Sequence, residues 1–153
     1  PAMIYHFFND KTDLLAAALE FPVGDEIIDE VFPRDGPPEA AELVEAVLTL
    51  WGDPEITDRL VALIRVAATH PDASAEVSDL LTRSVLDRLS AALGGGDCDL
   101  RVGLVASQLA GLALLRLVMP ISPLAEASIP ELVQSISPTI DRYLTGDLTD
   151  GRS

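Results

Sequence analysis

Residues 100–119 read as a helix with no polar side. Asp99 stands before the stretch and Pro120 after it. A helix that is apolar nearly all round has to be buried on more than one side. A single helical layer does not supply that cover. A central place within one chain or a partner subunit would. A bilayer is the third option, since 102–119 is near the minimum length for a span. Against it stand Gln108, Arg116, the small residues Gly103, Ser107 and Gly111, and the closing proline. Burial in protein is expected, with no membrane partner.

The rest of the sequence is patterned in the same way. Alternation of period two is absent over any useful length, while apolar residues recur at spacings of three and four. Residues 39–51 carry Ala40, Leu43, Val44, Val47, Leu48 and Trp51 at that spacing, and Gly52 ends the run. Asp53-Pro54 is a helix start, an N-cap followed by proline at the first helical position. That helix is expected to reach His70, with Ile56, Leu60, Leu63, Ile64 and Ala67 inward and Pro71 stopping it. A long helix is expected over 74–93, with Val77, Leu80, Leu81, Val85, Leu89 and Leu93 facing the core. Gly94-Gly95-Gly96 closes it. Asp99 is expected to cap the apolar helix. Ser128 and Glu131 have capping-box spacing. The last helix follows, with Ile129, Leu132, Val133, Ile136, Ile140, Tyr143 and Leu144 as its stripe. Pro138 is expected to kink it and Gly146 to end it.

Composition sets the outer limits. The chain has 153 residues, 48% of them hydrophobic, enough to bury a core without disulfides or metal. The one cysteine, Cys98, permits no internal disulfide, which suits a reducing cytoplasm. It lies in a Gly-rich stretch, and its two Asp neighbours oppose thiolate formation. No secretory signal is visible. The formal net charge is −15, which taken alone argues against nucleic acid, because phosphate binding needs a basic face. However, the pattern is already running at Pro1, with no initiator methionine before it. Residues are therefore expected upstream, among them a basic part.

The opening run is Pro1-Ala2-Met3-Ile4-Tyr5-His6-Phe7-Phe8-Asn9-Asp10-Lys11-Thr12-Asp13-Leu14-Leu15. A short apolar helix ends at Asn9-Asp10, and Asp10 can cap a second helix over 11–20. A further helical piece is expected at 25–32, before the loop 33–38. The run resembles the end of the DNA-binding domain of the TetR family of regulators. Ile4, Tyr5 and Phe8 fit the aromatic end of the recognition helix, and Lys11, Leu14 and Leu15 fit the helix after it. Phe7 departs, since histidine is frequent there. The segments Val105-Ala106-Ser107-Gln108-Leu109-Ala110-Gly111-Leu112 and Ser137-Pro138-Thr139-Ile140-Asp141-Arg142-Tyr143-Leu144 resemble the C-terminal region of actinobacterial members.

The resemblance implies an all-α protein, a helical ligand-binding and dimerisation domain preceded by the end of a helix-turn-helix. Its parts would be 1–20 for DNA, 21–146 for ligand and dimer, and 147–153 as a loose tail. Operator DNA would meet Ala2 and Met3 through base edges, and Tyr5, His6 and Lys11 through phosphates. The last two long helices would pair with their copies in a homodimer. Gly103, Ser107 and Gly111 recur on one face there, and Leu132, Ile136 and Ile140 would join them from the last helix. A small-molecule effector would sit among residues joining bulk to a polar handle: Trp51, Arg65, His70, Arg116 and Met119. Two arginines in an aliphatic setting suit an apolar or weakly acidic ligand.

The residues show no chemistry of their own that competes with this. His6 and His70 are the only histidines, too few for a metal-ligand spacing, and no cofactor motif or phosphate loop is present. Asp25, Glu26, Asp29 and Glu30 form an acidic cluster that reads as a solvated face. An enzyme is not expected. The readings that stand are a DNA-binding regulator, a repressor released by its effector, and a helical small-molecule-binding protein that never meets DNA.

Overall fold

Helix boundaries fall where prolines, glycines and capping side chains stand in the sequence. The computed structural model describes residues 29, 32, 35–81, 83 and 86–149. The opening run, with Ala2, Met3, Tyr5, His6 and Lys11, lies outside the described residues, as do the helix expected over 11–20 and most of that at 25–32. Among the described residues there are six α-helices and no strand. They are α1 (Ala40–Leu50), α2 (Pro54–Thr69), α3 (Pro71–Leu81), α4 (Asp87–Leu93), α5 (Cys98–Ala113) and α6 (Ile129–Thr145). A π-helical stretch, Leu114–Val118, continues α5.

The caps explain most of these limits. The Asp53 carboxylate accepts from the Glu55 amide at 2.9 Å, and Pro54 follows it. That satisfies one of the free donors at the start of α2. At α6 the box is complete. The Ser128 hydroxyl accepts from the Glu131 amide, and the Glu131 carboxylate accepts from the Ser128 amide at 2.8 Å. Gly94, with φ +54°, takes the left-handed conformation that ends α4.

Three expectations about helix limits change. Pro71 does not merely stop α2; it opens α3 directly. His70 is extended, as residues before proline tend to be, and Pro71 takes a first-turn place where its missing amide costs nothing. The helix expected over 74–93 is two elements, α3 and α4. Val77 and Leu89 are buried as expected, while the side chains of Leu80, Leu81 and Val85 lie outside the described residues. At α5, Asp99 is within the helix and Asp97 holds the cap position. The Asp97 side chain makes no capping bond, because its carboxylate accepts from Arg101 Nε at 3.0 Å.

The core lies between α1, α4, α5 and α6. Leu43, Val44 and Leu48 of α1 meet Leu132, Ile140 and Leu144 of α6. Val102, Val105 and Leu112 come from α5, and Leu89 from α4. Phe32 packs on this cluster, and Arg88 of α4 pairs with Asp29 at 2.6 Å. A second, smaller cluster joins α2 and α3 through Leu63 and Val77. The π-helical stretch touches α2 and so links this pair to the rest. Pro138 does not end α6, which runs through it. The hydroxyl of Ser137, just before it, is buried with no hydrogen-bond partner.

Two substitutions test this core. Ile140 is fully buried where α1 meets α6, so Ile140→Ala should cost about 2–5 kcal/mol in urea unfolding. Ser137→Ala removes an unpaired buried hydroxyl and should raise stability, by up to about 1–3 kcal/mol. A clear loss instead would show that the hydroxyl has a partner in solution.

Candidate functional site

The apolar helix is covered on one side only. Val102, Val105, Leu112 and Ala113 face the core, while Leu100, Gly103, Ser107, Gln108 and Ala110 are exposed on the far side. Leu100 is 61% exposed. Cys98–Val118 is long and apolar enough to cross a membrane by length and composition, yet only 22% of that stretch is buried within the protomer. Ser107 turns its hydroxyl back to the Leu104 carbonyl at 2.7 Å, so its polar atom is satisfied within the helix. A Cβ at Gly103 or at Gly111 would meet nothing within 4 Å. Packing inside the protomer therefore does not require glycine at either place.

The contribution expected from α6 is corrected. Leu132 and Ile140 belong to the protomer's own core, against α1, and have no surface to offer. Ile136 is half-buried beside them. The outward face of α6 is polar, carrying Glu131, Gln134, Ser135, Asp141 and Arg142. The large apolar side chains exposed among the described residues are Leu100 of α5 and, beyond its π-helical continuation, Met119 and Ile121.

Arginines of α5 and its continuation hold both ends of this pair. Arg101 donates from Nη1 to the Tyr143 carbonyl at 2.9 Å and from Nη2 to the Gly146 carbonyl at 2.8 Å. Arg116 donates from Nη1 to the carbonyls of Leu124 at 2.7 Å and Ala127 at 2.9 Å. Arg101 was legible only in part. Its spacing of four from Asp97 signals a helical ion pair, but nothing local signals its reach to the end of α6. The residues after Gly146 are not wholly loose. Asp147 accepts from the amide and hydroxyl of Thr149, which lowers its pKa together with the nearby charges of Arg101 and Arg142.

The five residues expected around an effector fall in different surroundings. Trp51 is half-buried against the main core. Arg65 lies on α2 on the side of the exposed Asp58, Ala68 and Thr69. His70 ends that helix, its Nδ1 at 2.8 Å from the Thr69 hydroxyl. Arg116 sits in the π-helical stretch that α2 touches, with Nη1 already engaged by the loop. Met119 is 52% exposed. The elements that carry Arg65 and Arg116 touch, and the Trp51 carbonyl accepts from the Thr57 hydroxyl of α2. Among the described residues no three His, Cys, Asp or Glu side chains are grouped to hold a metal ion.

Residues 39–144 match the family described as the tetracyclin repressor-like, C-terminal domain. The match spans most of the chain, and the chain belongs to the TetR family of transcriptional regulators. Its fold is similar to that of a TetR-family regulator from Streptomyces coelicolor A3. That likeness covers 94% of this chain and 96% of the other, with 22% identity and a TM-score of 0.59. No curated protein matches the sequence.

The start of α6 carries a pH dependence. Hydrogen bonds from the Ser128 side chain and backbone hold Glu131 below the usual glutamate pKa. A lowered folded pKa means stability that is present above the unfolded value and lost as pH falls through the folded one. The difference in melting temperature between wild type and Glu131→Gln should therefore be largest near neutrality and shrink across that acidic window. A difference independent of pH would show that the carboxylate charge contributes nothing to the cap.

Proposed function

We propose that the chain is the regulatory part of a homodimeric, cytoplasmic TetR-like repressor whose hold on operator DNA weakens when a small molecule binds. The observation that carries the dimer is the far side of α5. Leu100, Gly103, Ser107 and Ala110 are exposed there, and no contact within the protomer requires its glycines. A second copy of the same face would bury it by close approach of the helix axes, with Gly103, Ser107 and Gly111 at the seam and Ile136 at its margin.

The DNA side of the proposal rests on the opening run. A dimer offers two recognition helices to successive turns of the major groove, roughly 34 Å apart. Ala2 and Met3 would face base edges, and Tyr5, His6 and Lys11 the phosphates. An effector would act by favouring a conformation in which the two helices have the wrong separation. Trp51, Arg65, His70, Arg116 and Met119 remain the residues to vary in search of it. The net charge of −15 favours a second reading, a helical small-molecule-binding protein that does not meet DNA.

One set of measurements separates these readings. The full-length protein should give a specific gel shift on its own promoter at low salt and sediment as a dimer. Tyr5→Ala and Lys11→Ala should each weaken the shift without changing the melting of the helical domain. Ser107→Glu, which places a charge on the seam, should give a folded monomer with little operator affinity. No specific shift would leave the second reading standing, and a monomeric wild type would sink both the dimer and the repressor built on it.

A further inference from the structure

We propose that Arg101 and Arg116 are positioning residues that pin α6 to α5 at both ends and so fix the register of the pair that presents the apolar face. The geometry stands on the structure alone; its consequence for assembly rests on the dimer reading above.

The apolar contact between α5 and α6 is strong but not directional. Val102, Val105 and Leu112 against Leu132 and Ile140 resist separation. They do less to prevent sliding, because neighbouring registers bury similar area. Hydrogen bonds with fixed geometry can choose among those registers. At one end, the Arg101 side chain is 15% exposed and spends its fork on three acceptors. Nε serves Asp97, while Nη1 and Nη2 serve the carbonyls of Tyr143 and Gly146. Those carbonyls close α6, at the negative end of its dipole. The chain is tight there, since a Cβ at Gly146 would stand 2.7 Å from the Arg142 carbonyl. At the other end, Arg116 bonds the carbonyls of Leu124 and Ala127, and Ala127 directly precedes the Ser128 cap.

The π-helical stretch belongs to this arrangement. The Met119 amide donates to the Leu114 carbonyl at 2.8 Å, the wider bond that defines such a turn, and Arg116 lies within it. One pin would set the register and still allow the pair to splay. Two pins, on either side of the exposed face, prevent both. Lysine does not replace Arg101, whose planar fork spans separated acceptors; Arg116 meets both of its carbonyls from Nη1 alone.

Amide hydrogen exchange and sedimentation test the proposal. In the wild type, the amides of Tyr143 to Gly146 should exchange slowly, unlike those of an ordinary fraying helix end. Arg101→Lys should speed their exchange about tenfold or more, as loss of charge-assisted bonds implies, and leave the start of α6 unchanged. Arg116→Met, which removes the donor, should do the reverse, loosening Ala125 to Leu132 alone. Both variants should raise the dimer Kd about tenfold, although neither alters the exposed face. Uniform acceleration through every helix, or none, overturns the pins. Local loosening with an unchanged Kd overturns the positioning role. A monomeric wild type refutes the reading of the face, and the exchange pattern alone then judges the pins. Should either variant fail to fold, unprotected wild-type amides at Tyr143 to Gly146 still refute the proposal.

Discussion

A helix that is apolar around its circumference has to be covered around its circumference, and α5 imposes that condition on everything else. One side is met by Val102, Val105 and Leu112, which draw α4 and α6 onto it. α6 in turn buries Leu132, Ile140 and Leu144 against α1. The order of packing is thus α5, α6, α1, and it leaves the far side of α5 open. The small residues stand there, where no contact within the protomer asks for them.

The ends of α6 show how a marginal element is made definite. Helix ends leave backbone donors and acceptors without partners. At its start these are met by Ser128 and Glu131, a device contained within four consecutive residues. At its finish they are met by Arg101, from another helix. The first device is local and the second is tertiary. Only the second ties α6 to a neighbour, which is why the arginines, and not the cap, bear on the relation between helices.

The same division explains what the sequence disclosed. Boundaries set by local chemistry were legible: Asp53-Pro54, the glycines after Leu93, and the Ser128 box all act over a few residues. Pro71 stops α2 as expected but also opens α3, a second role that turns on His70 becoming extended. Asp99 was taken for a cap because the competing pull of Arg101 on Asp97 depends on where Arg101 is held from afar. Leu132 and Ile140 were placed at a partner surface because periodicity gives the apolar side of a helix but not the identity of what covers it. α1 covers it. The effector residues were chosen by chemical type, and type does not state location. Trp51 packs against the main core and Met119 is exposed.

The charge of the chain is reconciled with its family by where its cations go. Arg59 and Arg83 are paired along their own helices with Glu55 and Asp79. Arg88 is paired with Asp29. Arg101 and Arg116 face backbone carbonyls. Cations engaged in this way offer no stripe of positive charge to a phosphate backbone, while acidic side chains such as Glu42, Glu45 and Glu76 stay exposed. Phosphate binding is cumulative, each neutralised charge adding to affinity and to its salt dependence. The arginines engaged in this way among the described residues add little to that sum.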